Sequence, residues 1–229
     1  MTAPTVLDDG WARYNIWSHS QTVRDLYTRR AKDIETEMTC AAQAAEILSS
    51  IASPGDSVLD VGCGSGYFFH SLRRRNIPLS YYGIDATTEF IDIGRRELAR
   101  FGCEAERLEA IRIEDFRGEV DHVVCMNTLS NLDNFHRPLE RILEAARVSV
   151  VLRESISDDP CYTYVKDEFL DEGVSLKVHV NVYDRSEMVR FIREYGFSVE
   201  EIVDERTRGE PEMVIGYPHH WTFMVAKRV

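Results

Sequence analysis

The stretch VLDVGCGSGYF, residues 58–68, decides the fold. A short apolar run ends in Asp60, and Gly62, Gly64 and Gly66 then alternate with small residues. This is the pattern of a buried strand, a tight turn and the start of a helix. Glycines in such a turn let the backbone approach a ligand closely. A dinucleotide fingerprint, G-x-G-x-x-G, needs a third glycine to pack helix on strand near a pyrophosphate. Here Tyr67 occupies that position. Asp60, two residues before the first glycine, would repel a pyrophosphate and attract an ammonium or sulfonium. It could also fix the amides of the turn. The expected ligand is therefore cationic at this spot.

Working outward, the pattern predicts helices and strands in alternation. Residues 32–51 carry Ile34, Met38, Ala41, Ala45 and Leu48 at helical spacing, ended by Pro54 and Gly55. Strands are expected at 57–61, 80–84 (followed by Asp85), 108–113, 120–126 and 148–152. Helices are expected at 67–75, 88–101 and 138–147. Continuous apolar strands separated by helices form a parallel sheet covered on both faces. Residues 174–183 alternate as a strand does, and 184–196 form a helix with a capping box from Asp184 to Glu187 and a stop at Gly196. Strands at 198–204 and 221–227, joined by a Gly/Pro-rich loop, suit an antiparallel hairpin at the sheet edge. The expected fold is α/β: a doubly wound, Rossmann-like, mostly parallel seven-stranded sheet with an antiparallel last hairpin and helices on both faces. Ligands of such sheets bind at the carboxyl ends of the strands.

The 229 residues suit a single domain. Residues 1–31, with Trp11, Tyr14, Trp17 and Tyr27, are too aromatic for a disordered tail and are expected to form a helical lid. Residues 32–229 are the core, with 154–183 as an insertion on the acceptor side. No apolar run approaches the roughly 20 residues of a membrane helix, and no secretory signal is visible. Cys40, Cys63, Cys103, Cys125 and Cys161 share no close spacing, so reduced thiols in the cytoplasm are expected, with no metal site. A net charge of −12 disfavours a polynucleotide partner and favours solubility.

The glycine turn, with Asp85 closing the second strand in YYGID, resembles the cofactor half of class I S-adenosylmethionine-dependent methyltransferases. The resemblance extends to DHVVCMNTLSNLDN and to the final WTFMVAKR, and covers roughly residues 37–229. It implies that Asp60 and the turn Gly62, Cys63, Gly64 and Gly66 face the amino-acid arm of S-adenosylmethionine. It implies that Asp85 accepts both ribose hydroxyls, that Ala86 flanks the adenine, and that Ile113 and Glu114 lie at the adenine edge. Arg112 stands where many relatives carry an aspartate, so Glu114 or Asp115 substitutes. Met126 and Asn127 would sit beside the methionine part and the transferred methyl.

The acceptor should face the carboxyl ends of the fourth and fifth strands, at Asn127, Ser130, Asn131, Arg153 and Glu154. His179 shares a face with Asn181 and Tyr183 in VHVNVY and is the candidate base. Asn127, Asn131 and His179 are thus the expected catalytic set. His219 and His220, in the last loop, are expected to be exposed. The reaction so implied is methyl transfer to an oxygen or nitrogen of a small molecule, a sugar or secondary metabolite, by a monomer or homodimer with no membrane partner. The alternatives are a cofactor-binding scaffold and a methyltransferase of protein or RNA. A dinucleotide oxidoreductase is disfavoured by the glycine spacing.

Overall fold

The computed structural model describes residues 14–229. Trp11 therefore lies outside the described residues. A 3-10 turn, Ile16–His19, leads into α1 (Gln21–Ala31), capped by the Ser20 hydroxyl. The chain continues as α2 (Thr39–Ile51), β1 (Ser57–Val61), α3 (Phe68–Arg74), β2 (Ser80–Asp85), α4 (Thr88–Leu98), β3 (Leu108–Ala110) and β4 (Val120–Met126). Then follow α5 (His136–Ala145), β5 (Ala146–Ser157), β6 (Tyr164–Lys166), β7 (Lys177–His179), β8 (Tyr183–Asp184) and α6 (Arg185–Glu194). The last third closes with β9 (Phe197–Val203), β10 (Glu212–Val214), β11 (Tyr217–His219) and β12 (Trp221–Arg228).

The sheet runs β3-β2-β1-β4-β5-β12-β9, with two-residue β8 paired to β5. The first five strands are parallel, and β12 lies antiparallel between β5 and β9. The strand order therefore reverses beside β1, which places a ligand site above β1 and β4. Successive residues of β4 alternate between two cores. Val123 and Cys125 join α5 and α6 on one face, while Val124 and Met126 join α2, α3 and α4 on the other. Both faces are buried, as the unbroken apolar run of β4 requires.

Four expectations shift. The helix expected at 32–51 begins only at Thr39. Asp33 turns left-handed at φ 60, its amide bonded to the Arg30 carbonyl, and Ile34 is left 67% exposed. The strand expected at 108–113 ends at Ala110, and Ile113–Asp115 forms a 3-10 turn. The alternating run 174–183 is divided: β7 pairs with β6, and β8 pairs with β5. The loop before β12 holds its own hairpin, β10–β11.

A cap stands over the carboxyl ends of the strands. Ile16, Val178 and Val180 form its small core, with Trp17, Val165, Leu170, Ile215 and Tyr217 packed around them. Its parts are tied together by polar contacts. The Ser20 hydroxyl donates to the Phe169 carbonyl at 2.6 Å, and Asp171 accepts from the Gln21 amide at 2.6 Å and from Arg24 at 3.0 Å. The Asn181 amide donates to the Ser130 carbonyl at 2.9 Å, which fastens the cap to the loop after β4.

Candidate active site

The turn between β1 and α3 is shaped by three left-handed glycines, Gly62 (φ 70), Gly64 (φ 57) and Gly66 (φ 73). Each needs glycine for a reason found elsewhere in the chain. A Cβ on Gly62 would strike Thr128, one on Gly64 would strike the Tyr27 ring, and one on Gly66 would press on Leu98 and Leu108. The turn is thus covered from two sides, by the loop after β4 and by α1.

Two carboxylates flank the turn. Asp60 is 3% exposed, and its Oδ2 accepts the Tyr81 hydroxyl at 2.9 Å. Burial pushes its carboxyl up to about 7; the Tyr81 bond opposes this and nearby Asp85 adds to it. Asp85 accepts the Gly64 amide at 2.8 Å and the Thr87 amide at 2.8 Å, and burial raises it against those two bonds. Among the described residues no cation pairs with either group.

Neutralising Asp60 should therefore stabilise the ligand-free protein. Its folded pKa lies above the ordinary 3.8, so the native state holds a proton that the unfolded chain has released. The resulting cost grows as pH rises from 4 towards 7 and is complete above 7. Asp60→Asn is expected to raise the unfolding free energy at pH 8, with an upper bound of roughly 4 kcal/mol at 1.36 kcal/mol per pH unit. At pH 4.5 it should change little. Urea denaturation at the two pH values measures the difference, and an equal effect at both would refute the assignment.

The structure places the remaining expected cofactor residues as follows. The Gly62 and Cys63 amides donate to the Ile84 carbonyl at 2.9 and 3.0 Å, so both are used within the fold, and the Cys63 side chain lies in the core rather than above the turn. Ala86 follows Asp85 at the end of β2 and is half-buried. Ile113 is buried, Glu114 half-buried, and Asp115 is held on the surface by Arg112 at 2.8 Å. Met126 ends β4, and Asn127 follows it in a left-handed conformation at φ 56.

Asn127 is fixed from three sides. Its amide donates to the Arg153 carbonyl at 2.8 Å, its own carbonyl accepts from Asn131, and its side-chain oxygen accepts from Arg153. Arg153 is itself buried, bonded to Asp204 at 2.6 Å and lying 4.5 Å over the Trp221 ring. Burial opposes the Asp204 charge, but the Arg153 bond and charge prevail and hold its carboxyl below the usual range.

Other residues expected on the acceptor side are likewise committed internally. Glu154, fully buried, accepts the Thr128 and Leu129 amides at 2.9 Å on one oxygen, and the Ser130 amide and hydroxyl at 2.9 and 2.7 Å on the other. Asn181 and Tyr183 likewise bond the Leu129 and Leu132 carbonyls. They support the loop after β4 rather than lining an open pocket. His179 stands on the cap, its ring stacked on Tyr164 at 4.4 Å, and burial lowers its pKa. His219, expected to be exposed, is 2% exposed, its ring tilted against that of Trp221 with centres 4.7 Å apart. Sequence reading missed His219 and Asp204; the alternation of Tyr217, His219 and Trp221 was the signal for the first.

Residues 59–151 match the family described as methyltransferase domain. Over this stretch, less than half of the chain, the sequence is similar to a methyltransferase domain. The match takes in the glycine turn, Asp85, Asn127 and the first half of β5. The mitochondrial ubiquinone biosynthesis O-methyltransferase of Saccharomyces cerevisiae is 30% identical over 109 residues, 44% of this chain and 35% of that protein. The ribosomal protein L11 methyltransferase of Caldanaerobacter subterraneus is 35% identical over 81 residues, 34% of this chain and 26% of that protein. The alignments thus span about a third or less of these two relatives. Among solved structures, magnesium protoporphyrin IX methyltransferase from Synechocystis, with bound S-adenosylhomocysteine, superposes with a TM-score of 0.63 at 14% identity, covering 96% of this chain and all of that one. The 1,6-didemethyltoxoflavin-N1-methyltransferase of Burkholderia thailandensis gives 0.60 at 17% identity, covering 100% and 93%. These likenesses show the Rossmann-like fold.

The cofactor of this kind of domain is S-adenosylmethionine, and the methyltransferase domain fits it chemically. Its two flanking carboxylates lack cations, which suits an ammonium, a sulfonium and ribose hydroxyls. They do not suit a pyrophosphate. Among the described residues no group of three or more His, Cys, Asp or Glu is arranged to hold a metal, and no helix is long and apolar enough to cross a membrane.

Proposed function

We propose that the protein transfers a methyl group from S-adenosylmethionine to an oxygen or nitrogen of a small-molecule acceptor, a sugar or secondary metabolite. The observation that carries this reading is the pair of cation-free carboxylates, buried Asp60 and half-buried Asp85, across a left-handed glycine turn. The cap above the strand ends supports a small acceptor, because it covers the face that a macromolecule would have to reach. The similar proteins include methyltransferases of ubiquinone biosynthesis, of 1,6-didemethyltoxoflavin and of ribosomal protein L11, so the cap is the feature that favours a small acceptor over a protein.

When bound, S-adenosylmethionine supplies a methyl group on a sulfonium, already activated for in-line displacement. The chain's task is alignment, which contributes up to roughly 7–11 kcal/mol in well-oriented systems. Asp85 would hold the ribose hydroxyls and Asp60 would face the ammonium. Ala86, Ile113 and Glu114 would border the adenine, with Met126 and Asn127 beside the methionine arm. Arg153 occupies the Asn127 side-chain oxygen, which leaves the Asn127 amide nitrogen to donate towards the acceptor. Asn131 fixes that turn by its bond to the Asn127 carbonyl. His179, its pKa lowered by burial, is neutral at pH 7 and can take the proton of a hydroxyl acceptor. The segment up to Ala31 would act as the lid and residues 154–183 as the acceptor-side insertion of one domain. Free cysteines, four of them buried, agree with a cytoplasmic protein, and a monomer or homodimer is the proposed state.

Calorimetric titration with S-adenosylhomocysteine, with NADH as control, tests the cofactor. Micromolar binding of the first and none of the second is expected. Binding of NADH instead would sink the reading. A screen of sugars, phenols and amines with labelled S-adenosylmethionine then tests the acceptor class, against bulk RNA and ribosomal protein. Label entering only the macromolecules would sink the small-molecule assignment.

A further inference from the structure

Tyr217, His219 and Trp221 stand at alternate positions as the chain passes from β11 into β12. The hairpin that carries them is held in place by packing. Its turn residue Ile215 is left-handed at φ 49, a costly conformation for a β-branched side chain, and packs against the cap core. Such strain persists only where the surroundings over-determine it. Trp221 is gripped on several sides. Its Nε1 donates to Glu212 at 2.9 Å, its ring meets that of His219 with centres 4.7 Å apart, and the Arg153 guanidinium lies 4.5 Å over it. That guanidinium donates to Asp204 at 2.6 Å and to the Asn127 side-chain oxygen. His219, Trp221, Arg153 and Asn127 thus form one line of contacts from the cap to the end of β4.

The first member of this line is titratable. Among the described residues the buried Nδ1 of His219 makes no hydrogen bond, although the Tyr217 carbonyl lies near enough to favour a ring proton. The charged groups that reach the ring are Glu212, its register partner on β10, His220 beside it, and Arg153 on β5. Burial lowers the pKa from the ordinary 6.5; the Tyr217 carbonyl and Glu212 oppose this, and His220 and Arg153 add to it. His219 is therefore neutral at pH 7. A second ring proton would make both nitrogens donors, Nδ1 without an acceptor in hydrogen-bonding position. It would also set a cation beside the buried guanidinium of Arg153, and like charges disfavour each other most where water is excluded. Relief comes from shifting Trp221 or the guanidinium, and either shift loosens Asn127.

We infer that neutral His219 is a positioning residue for the acceptor side, seating Trp221 and through it the Arg153 guanidinium that holds Asn127, and that protonating His219 releases that hold. The inference rests on the role proposed above for Asn127.

The test reads Asn127 directly. In labelled wild-type protein, its side-chain amide signals followed by NMR from pH 8 to pH 5 should show a titration step below pH 6.5. His219→Gln, neutral throughout, should remove that step. At pH 8 it should bind S-adenosylhomocysteine within about threefold of wild type, as a change remote from the glycine turn. With an acceptor from the phenol and amine screen, His219→Ala should lower kcat by about 10- to 100-fold, the scale of a misplaced positioning group. Its KM for S-adenosylmethionine should barely move, and His219→Gln should recover part of the loss. Trp221→Leu should lose kcat similarly, and the double variant should lose no more than the worse single one, because both act through Arg153. An Asn127 signal that titrates alike in wild type and His219→Gln would overturn the inference. So would equal losses of kcat and cofactor affinity in His219→Ala, or losses that multiply in the double variant. Asn127→Ala with wild-type kcat would overturn the role of Asn127 itself, whatever its titration shows.

Discussion

Asp85→Ala is expected to abolish measurable binding of S-adenosylhomocysteine, a loss of at least 100-fold, while the protein stays folded. Two effects combine. The proposed role gives Asp85 two ribose hydroxyls, and each hydrogen bond to a charged group contributes about 1.5–3 kcal/mol. Together they account for a factor of roughly 100 or more at 1.4 kcal/mol per decade. The second effect is structural. Asp85 also accepts the Gly64 and Thr87 amides, so the carboxylate latches the glycine turn to the end of β2. Alanine frees that turn, and the cradle loses its shape as well as its charge. Asp85→Asn separates the effects. It keeps one acceptor oxygen but presents an amide to a backbone donor, so it should retain weak binding where alanine retains none. Calorimetry on both variants reads this out. Near-wild-type affinity in Asp85→Ala would remove Asp85 from the site.

The parts of this site that were legible in sequence are those whose causes are local. A strand ending in Asp60, three glycines and a second strand ending in Asp85 can be read because turn chemistry and strand periodicity act over a few residues. Even there the reason for each glycine was hidden. Gly62 and Gly64 make room for Thr128 and Tyr27, which lie far away in the chain. The long helix expected at 32–51 failed for a similar reason. Ile34 and Met38 fit the apolar stripe, but α1 stops at Ala31 and Asp33 turns left-handed to redirect the chain. Helical spacing alone does not reveal that the residues before Thr39 serve a corner.

The acceptor side was the least legible, because its polar residues find partners at long range. Arg153 and Asp204 are 51 residues apart and form one buried pair. In sequence Arg153 reads as an acceptor contact and Asp204 as the end of a strand, and nothing near either one points to the other. His219 read as part of an exposed loop because nothing near it in sequence announces that β10 and β11 pair and pack into the cap. Ser130 and Glu154 read as acceptor contacts because they end adjacent strand–loop units, yet they bond each other at 2.7 Å. Position at the strand ends was readable; the direction of each side chain was set by partners that only the fold supplies.

Glu154→Ala is therefore expected to act first on stability. The carboxylate gathers three backbone amides and one hydroxyl at a point with no solvent access. Its burial raises its pKa, against the pull of those donors, so the site is a compromise between desolvation and hydrogen bonding. Removing the acceptor leaves the amides of Thr128, Leu129 and Ser130 buried without partners. Each such group costs about 1–3 kcal/mol, which sums to roughly 3–6 kcal/mol once some relaxation is allowed. That is a large share of the 5–15 kcal/mol typical of a whole domain. Glu154→Gln should cost less, because its carbonyl still serves one pair of donors while its amide opposes the other pair. The ordering wild type, glutamine, alanine should appear in urea unfolding as a fall in midpoint at constant slope. Asn127 and Thr128 sit at the start of the freed loop, so a surviving alanine variant should also lose turnover faster than it loses S-adenosylhomocysteine affinity. An alanine variant as stable as wild type would mean that the loop finds other acceptors, and Glu154 would return to the acceptor side as a candidate for direct contact with substrate.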